Sequence, residues 1–167
     1  VGYWNVYNGI DVVTSRDNLL VGNVWCLNGY HGAYIGYSAN ITLDSNNCSS
    51  NSQWGIQIRE SSGTIVLRNQ LCNNGGYGLY VHSASVSSII FNNTFIGNNG
   101  AGSTYDPAHA QAYDDGTNNW WNSTDGYGNY WSDWTGPDIV PPYGIVDVPY
   151  EIPGGAGVAV RGPQHEE

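Results

Sequence analysis

The chain has no lysine and no methionine, only two phenylalanines, and four arginines (Arg16, Arg59, Arg68, Arg161) among 167 residues. Against 14 acidic residues this leaves a formal net charge of −10. Nucleic acid and anionic membrane both require clustered cations, so that balance excludes them as partners. Charged residues make up 11% of the chain, well under the usual quarter. Solubility must then rest on Asn, Ser, Thr, Gly and Tyr hydroxyls, a surface suited to an extracellular or cell-envelope location. No apolar run approaches the ~18 residues of a membrane span. An initiator Met and a signal peptide are also lacking, and residue 1 already lies in a repeat. We therefore expect a processed or excised piece of a longer precursor.

Cysteine is scarce and odd in number: Cys26, Cys48 and Cys72, with no CxxC pair to hold a metal. If Cys48 faces inward, Cys26 and Cys72 fall on the next column, two rungs apart. At about 4.8 Å per rung they stand about 10 Å apart, too far for a disulfide. All three are expected to be free.

What is present is a period. Gly9, Gly32, Gly55 and Gly78 recur every 23 residues, each opening a short apolar strand, and Asn23, Asn46, Asn69 and Asn92 keep the same spacing. A fixed period in this range marks a stacked-repeat architecture. Within each repeat the alternation is twofold: Ile10 and Val12, Ala33 and Ile35, Ile56 and Ile58, Leu79 and Val81 point inward. Asp11, Tyr34, Gln57 and Tyr80 lie between them and point outward. A second run follows (Ile41 and Leu43, Thr64 and Val66, Ser87 and Ile89), then a third (Trp25, Cys48, Leu71, and Thr94 or Phe95). Three short strands per repeat without helical periodicity predict an all-β, right-handed, single-stranded parallel β-helix. The four Asn residues are read as a corner ladder, each amide bonding to the next one rung away.

The rungs are expected over residues 1–117, with an inserted loop at about 97–109 projecting from one corner. From residue 118 the composition turns to Trp and Tyr, and residues 118–153 are read as a module covering the end of the stack, where open strand edges would otherwise aggregate. Residues 154–167 form a Gly-rich tail whose Val158–Val160 segment can add as a strand to an open edge.

The rungs, with Gly128-Asn-Tyr-Trp-Ser-Asp-Trp-Thr-Gly-Pro-Asp138 and Gly144-Ile-Val-Asp-Val-Pro-Tyr-Glu-Ile-Pro-Gly-Gly155, resemble the NosD-type β-helix repeat proteins. That group belongs to the wider carbohydrate-binding and sugar-hydrolase β-helix class, and its aromatic module resembles that of secreted archaeal surface proteins. The resemblance implies a calcium loop between the two halves of the module. Here Asp138 and Asp147 match its ends, but the run between them lacks oxygen ligands, whereas Ca²⁺ takes six to eight. Asp114 and Asp115 with Asp125 or Asp133 form a second candidate, set against a plain role in capping corners. The four histidines have no ligand spacing, so the copper in the family's name finds no residues in the sequence.

A sugar hydrolase needs two carboxylates about 5–10 Å apart, and the outward acids Asp11, Asp17, Asp44 and Glu60 form no such column. Arg59 and His82 are adjacent outward positions one rung apart, too little for a catalytic site. The exposed aromatics Tyr34, Trp54, Tyr77 and Tyr80 are candidates for stacking on sugar rings, unless they pack on each other. Asn40, Asn47 and Asn122 head accessible N-glycosylation sequons, whereas the Asn92 sequon lies in the ladder and is expected to be inaccessible. The expectation is a secreted structural or cell-surface protein, not an enzyme, without a cofactor. An uncapped first rung and a strand-donating tail point to self-association head to tail, into a filament or lattice. The competing class is a carbohydrate-binding module or a polysaccharide lyase or hydrolase, with glycans as partners.

Overall fold

The computed structural model of the chain describes residues 2–137, 139 and 148–155, and the backbone of 159–160. The strands, in chain order, are β1 (Ile10–Val13), β2 (Leu19–Val21), β3 (Ala33–Gly36), β4 (Thr42–Asp44), β5 (Ile56–Arg59), β6 (Ile65–Leu67) and β7 (Gln70–Cys72). They continue with β8 (Leu79–Val81), β9 (Ile89–Phe91), β10 (Thr94–Ile96), β11 (Ala112–Asp114), β12 (Tyr130–Trp131), β13 (Tyr150–Glu151) and β14 (Ala159–Val160). Three sheets run along the stack in the orders β1-β3-β5-β8-β11, β2-β4-β6-β9 and β7-β10-β12, all parallel. The fold is a parallel β-helix with about 23 residues per turn.

The period-two alternation places the core as expected. Ala33, Ile35, Ile56, Ile58, Leu79 and Val81 are fully buried, and so are Ile41, Leu43, Val66, Ile90, Cys48, Leu71 and Phe95. Each large aliphatic side chain so buried contributes roughly 1.5–3 kcal/mol. The glycine column has a steric cause. A Cβ on Gly9, Gly32 or Gly55 would lie 2.6 Å from the carbonyl oxygen of the glycine one turn on. Only a residue without a side chain lets the turns approach so closely at this corner.

The register first slips by one residue between the third and fourth turns. Ile58 pairs with Val81, 23 positions on, but Ser62 bridges to Val86, 24 positions on. The extra residue is absorbed in the turn at Ser83–Ala84. From there the inward residues are Ser88 and Ile90, not Ser87 and Ile89, and Phe95, not Thr94. The Asn ladder moves with them: Asn23, Asn46 and Asn69 are joined by Asn93, then Asn129, through Oδ1 atoms that accept from the backbone N and Nδ2 of the preceding member. Asn92 is not a ladder residue; it is exposed, with φ 54°. A second ladder runs along another corner through Asn5, Asn28, Asn51, Asn74 and Asn98 to Gln111. At a third corner Ser15 N donates to Ser38 Oγ and Ser38 N to Ser61 Oγ.

Asn98 belongs to the second ladder, so the projecting loop starts after Asn99 rather than at 97. It folds back onto the end of the stack: Tyr105 donates to Glu151 O and packs edge-on against Trp134 and Tyr150. The boundary at 118 falls inside a further turn, since Trp120 bridges to Ile89 and β12 pairs with β10. Beyond it Phe95, Trp131 and Tyr150 stack at 4.2 and 4.1 Å, closing the core. The backbone of Ala159–Val160 pairs antiparallel with Tyr150–Glu151 of the same chain.

Candidate functional site

Two surfaces stand out, both positioned by the repeat. The first is the outer face of the five-stranded sheet. Here His31, Trp54, Tyr80 and Tyr113 form one continuous stack, with centroids 4.6, 4.3 and 5.2 Å apart and planes within 9° of parallel. Tyr77 leans against Tyr80 and Tyr113. These rings therefore pack on each other, and both faces of Trp54 and of Tyr80 are occupied. Gln57, an outward position in the alternation, is buried beside them. Burial also pushes the His31 imidazole down to about 4, against smaller opposing effects from Asp11 and Gln57. It is neutral at pH 7, and its Nδ1 accepts from Trp54 N at 3.3 Å.

Tyr34 behaves differently. It lies outside that stack, with its phenol ring over Gly36. Around it are Arg59, Tyr37, Glu60 and Asp11, and burial raises the Tyr34 hydroxyl above its ordinary range against the pull of Arg59. Arg59 donates from Nε to Glu60 Oε1 at 3.1 Å, while His82 is paired with Ser83. Arg59 and His82 occupy neighbouring turns, yet each has its own local partner, and among the described residues no pair of facing carboxylates accompanies them.

The second surface is the first turn. Trp4, Val6, Tyr7 and Leu19 are 77, 79, 75 and 69% exposed, with Val13 and Val21 about half exposed. β1 and β2 are sheet edges there. The opposite end is covered by Trp121, Trp131, Tyr150 and Ile152, all buried.

The remaining sequence candidates fall into place around these. Asp114 is buried and accepts from Gly116 N, Asn119 Nδ2 and Trp121 Nε1; Asp133 accepts from Gln111 Nε2 and the Tyr150 hydroxyl. Both carboxylates thus tie the covered end together rather than converge on an ion. Asp138 and Asp147 lie outside the described residues. Among the sequons, Asn40 is exposed, with Nδ2 donating to Asp17, whereas Asn47 and Asn122 are half-buried. Asn92, freed from the ladder, heads an exposed sequon as well. Cys26, Cys48 and Cys72 are free thiols. The second Asn ladder was missed although Asn5, Asn28, Asn51 and Asn74 share the 23-residue period.

Taken together, a continuous parallel β-helix with polar corner ladders, an aromatic sheet face and one covered end defines a β-solenoid protein of the repeat type. Residues 3–136 match the family described as periplasmic copper-binding protein (NosD), and the chain belongs to that family. Among solved structures, the A-module of an Azotobacter vinelandii mannuronan C-5 epimerase is similar, with a TM-score of 0.58 at 18% identity. The match covers 77% of this chain and 40% of that one, and at this identity it shows the fold alone. No curated protein sequence matches the chain.

Copper in proteins is held by imidazole, thiolate and thioether groups. There is no Met. His31 is locked in the stack, His109 Nδ1 is engaged with Asn99 O, and His165 lies outside the described residues. Burial raises the Cys48 thiol far above its ordinary value, disfavouring the thiolate a metal needs. Among the described residues no three His, Cys, Asp or Glu side chains converge on one point. Among the described residues, then, the donors do not assemble into a set that fits copper.

Proposed function

We propose that the chain is a non-enzymatic structural β-helix of the periplasm or cell surface, with no resident metal, that associates with a second copy through its open first turn. The observation that carries this reading is the asymmetry of the ends. Among the described residues, large apolar side chains and two sheet-edge strands lie at one end, while at the other an aromatic plug and β13 cover the core. An open parallel edge offers alternating N–H and C=O groups, which the same edge of a second copy can satisfy. Because the far end is covered, we favour junctions between two first turns over head-to-tail stacking. Growth into a filament or lattice would need that cover displaced.

Light scattering coupled to size exclusion tests this. The chain should run as a dimer at micromolar concentration, and Leu19→Lys with Val21→Lys, both outward on β2, should run as a monomer with unchanged circular dichroism. A wild-type chain that stays monomeric up to millimolar concentration would remove the basis of the proposal. Electron microscopy of the same samples reports on filaments.

A further inference from the structure

We propose that the end of the aromatic sheet face around Tyr34 is a subsite for one sugar residue of a neutral glycan. Of the four outward aromatics that periodicity singles out, Trp54 and Tyr80 have both ring faces covered by neighbouring rings, and Tyr77 is packed against Tyr80 and Tyr113. Tyr34 stands apart. Its ring lies over the bare backbone of Gly36: a Cβ there would meet Cε1, Cζ and Oη of Tyr34 at 2.6–2.7 Å. The missing side chain at position 36 is therefore what lets the ring lie down against the sheet, and among the described residues no other ring is stacked on it. Tyr37, 51% exposed with φ 52°, stands at the end of the same strand.

The groups beside the ring are polar and come from neighbouring turns. Gly36 is in register with Arg59, and His82 follows Val81, which pairs with Ile58. The Arg59 guanidinium and the Glu60 carboxylate lie side by side at 3.1 Å, with side chains 43 and 35% exposed. Such a pair presents a donor and an acceptor at the spacing of adjacent ring hydroxyls. A ring held flat by the backbone, with this pair on the strand alongside, is the arrangement that receives the apolar face and vicinal hydroxyls of a pyranose.

Charge decides the class of sugar. Among the described residues, the groups acting on Tyr34 are Asp11 from β1, Tyr37 after β3, and Arg59 from β5 with Glu60 beyond it; Asp115 after β11 acts on the more distant Tyr80, against which His82 also packs. Arg59 is balanced by Glu60, and Asp11, in register with Tyr34, leaves the surroundings negative. With a Debye length of about 8 Å at physiological ionic strength, these near groups outweigh anything remote, and the remote charge is also negative at −10 for the chain. A polyuronate is repelled; a neutral chain of hexoses is not.

Isothermal titration with hexasaccharides of β-1,4-glucose, β-1,4-mannose, α-1,4-glucose and β-1,4-mannuronate tests the proposal. At least one neutral hexasaccharide should bind, at least tenfold tighter than hexamannuronate. Tyr34→Ala and Arg59→Gln should each weaken binding roughly tenfold at unchanged melting temperature. Gly36→Val keeps the phenol but lifts it, and should weaken binding as much as its removal does. Tyr127→Ala, on the cap, should bind as wild type. Repeating the titration with the Leu19→Lys, Val21→Lys chain separates this site from the assembly surface. The proposal is overturned if no neutral hexasaccharide binds, if hexamannuronate binds more tightly, or if Tyr34→Ala binds as wild type.

Discussion

Replacing Asn93 by Ala should destabilise the protein far more than replacing Asn92, although Asn92 is the residue that keeps the 23-residue spacing. The Asn93 side chain makes five hydrogen bonds. Its Oδ1 accepts from Asn69 N at 2.9 Å and Asn69 Nδ2 at 3.0 Å, and its Nδ2 donates to Val66 O, Phe91 O and Asn129 Oδ1 at 2.8, 3.0 and 3.0 Å. Asn69 retains other acceptors for its amide, at Leu43 O and Leu67 O. Truncation therefore strands chiefly the Asn69 N–H and the Val66 carbonyl. At about 1–3 kcal/mol for each of the two buried groups left without a partner, the cost is about 2–6 kcal/mol. In a chain of this length that lowers the melting temperature by roughly 5–20 °C. Asn92 is exposed and has φ 54°, so Asn92→Ala costs about 1 kcal/mol for left-handed geometry and Asn92→Gly less. Urea titrations followed by circular dichroism give both values under one set of conditions. Equal losses for Asn92→Ala and Asn93→Ala, or a greater loss at 92, would refute the slipped ladder.

Two further expectations concern the sheet face and the glycine corner. The folded-state value of about 4 for His31 lies below the unfolded value of 6.5, so between these values the unfolded chain binds more protons. The His31 contribution is complete above pH 6.5 and is lost as pH falls towards 4. Allowing for solvent screening it amounts to on the order of 1–2 kcal/mol, and His31→Phe should flatten the pH dependence of the urea midpoint in that window. An unchanged slope would show that His31 is not the group responsible. Gly55→Ala places a Cβ 2.6 Å from Gly78 O and 2.9 Å from Asn74 Nδ2, and should cost about 3 kcal/mol as overpacking and a disturbed ladder. Gly22→Ala meets no atom within 4 Å and should pay only for its positive φ.

The fold was legible because the same physics repeats: a bare backbone at one corner, an amide at another, and aliphatic pairs between them. Period counting found all three. It failed where the period itself changed. The extra residue at Ser83–Ala84 lies in an exposed turn and leaves no compositional mark. Only the paired Asn92 and Asn93, either of which could serve, hinted that the phase was open. The cap boundary was misplaced for a related reason. Residues 118–131 look foreign in composition, yet they supply Asn119, Asn129 and Trp131 to positions that earlier turns fill with Ser, Asn and Phe. Size differs there while side-chain direction is preserved. For the sheet face, spacing identified the outward aromatics but could not tell which would stack. That depends on ring tilt, and the tilt of Tyr34 is set by a glycine two positions away.

The ladders also explain why the ends matter more than the middle. Each internal turn has its corner amides answered from both sides, and its apolar residues are covered above and below. The last turn achieves the same closure with unlike parts. Gln111 ends the second ladder and hands its Nε2 to the buried Asp133, which also accepts from Tyr150. Tyr150 in turn lies on Trp131, the last ring over the apolar column. The first turn has no such terminus. Asn5 and Asn23 donate upward to Asn28 and Asn46, but no earlier ladder residue among those described donates to their own Oδ1 atoms, while Val12 and Leu20, the inward residues of this turn, are buried. A closed end built from Asp, Gln, Tyr and Trp and an open end bearing Trp4, Val6, Tyr7 and Leu19 are different chemical solutions to one geometric problem. On the reading proposed above, the open one is the surface that a second copy completes.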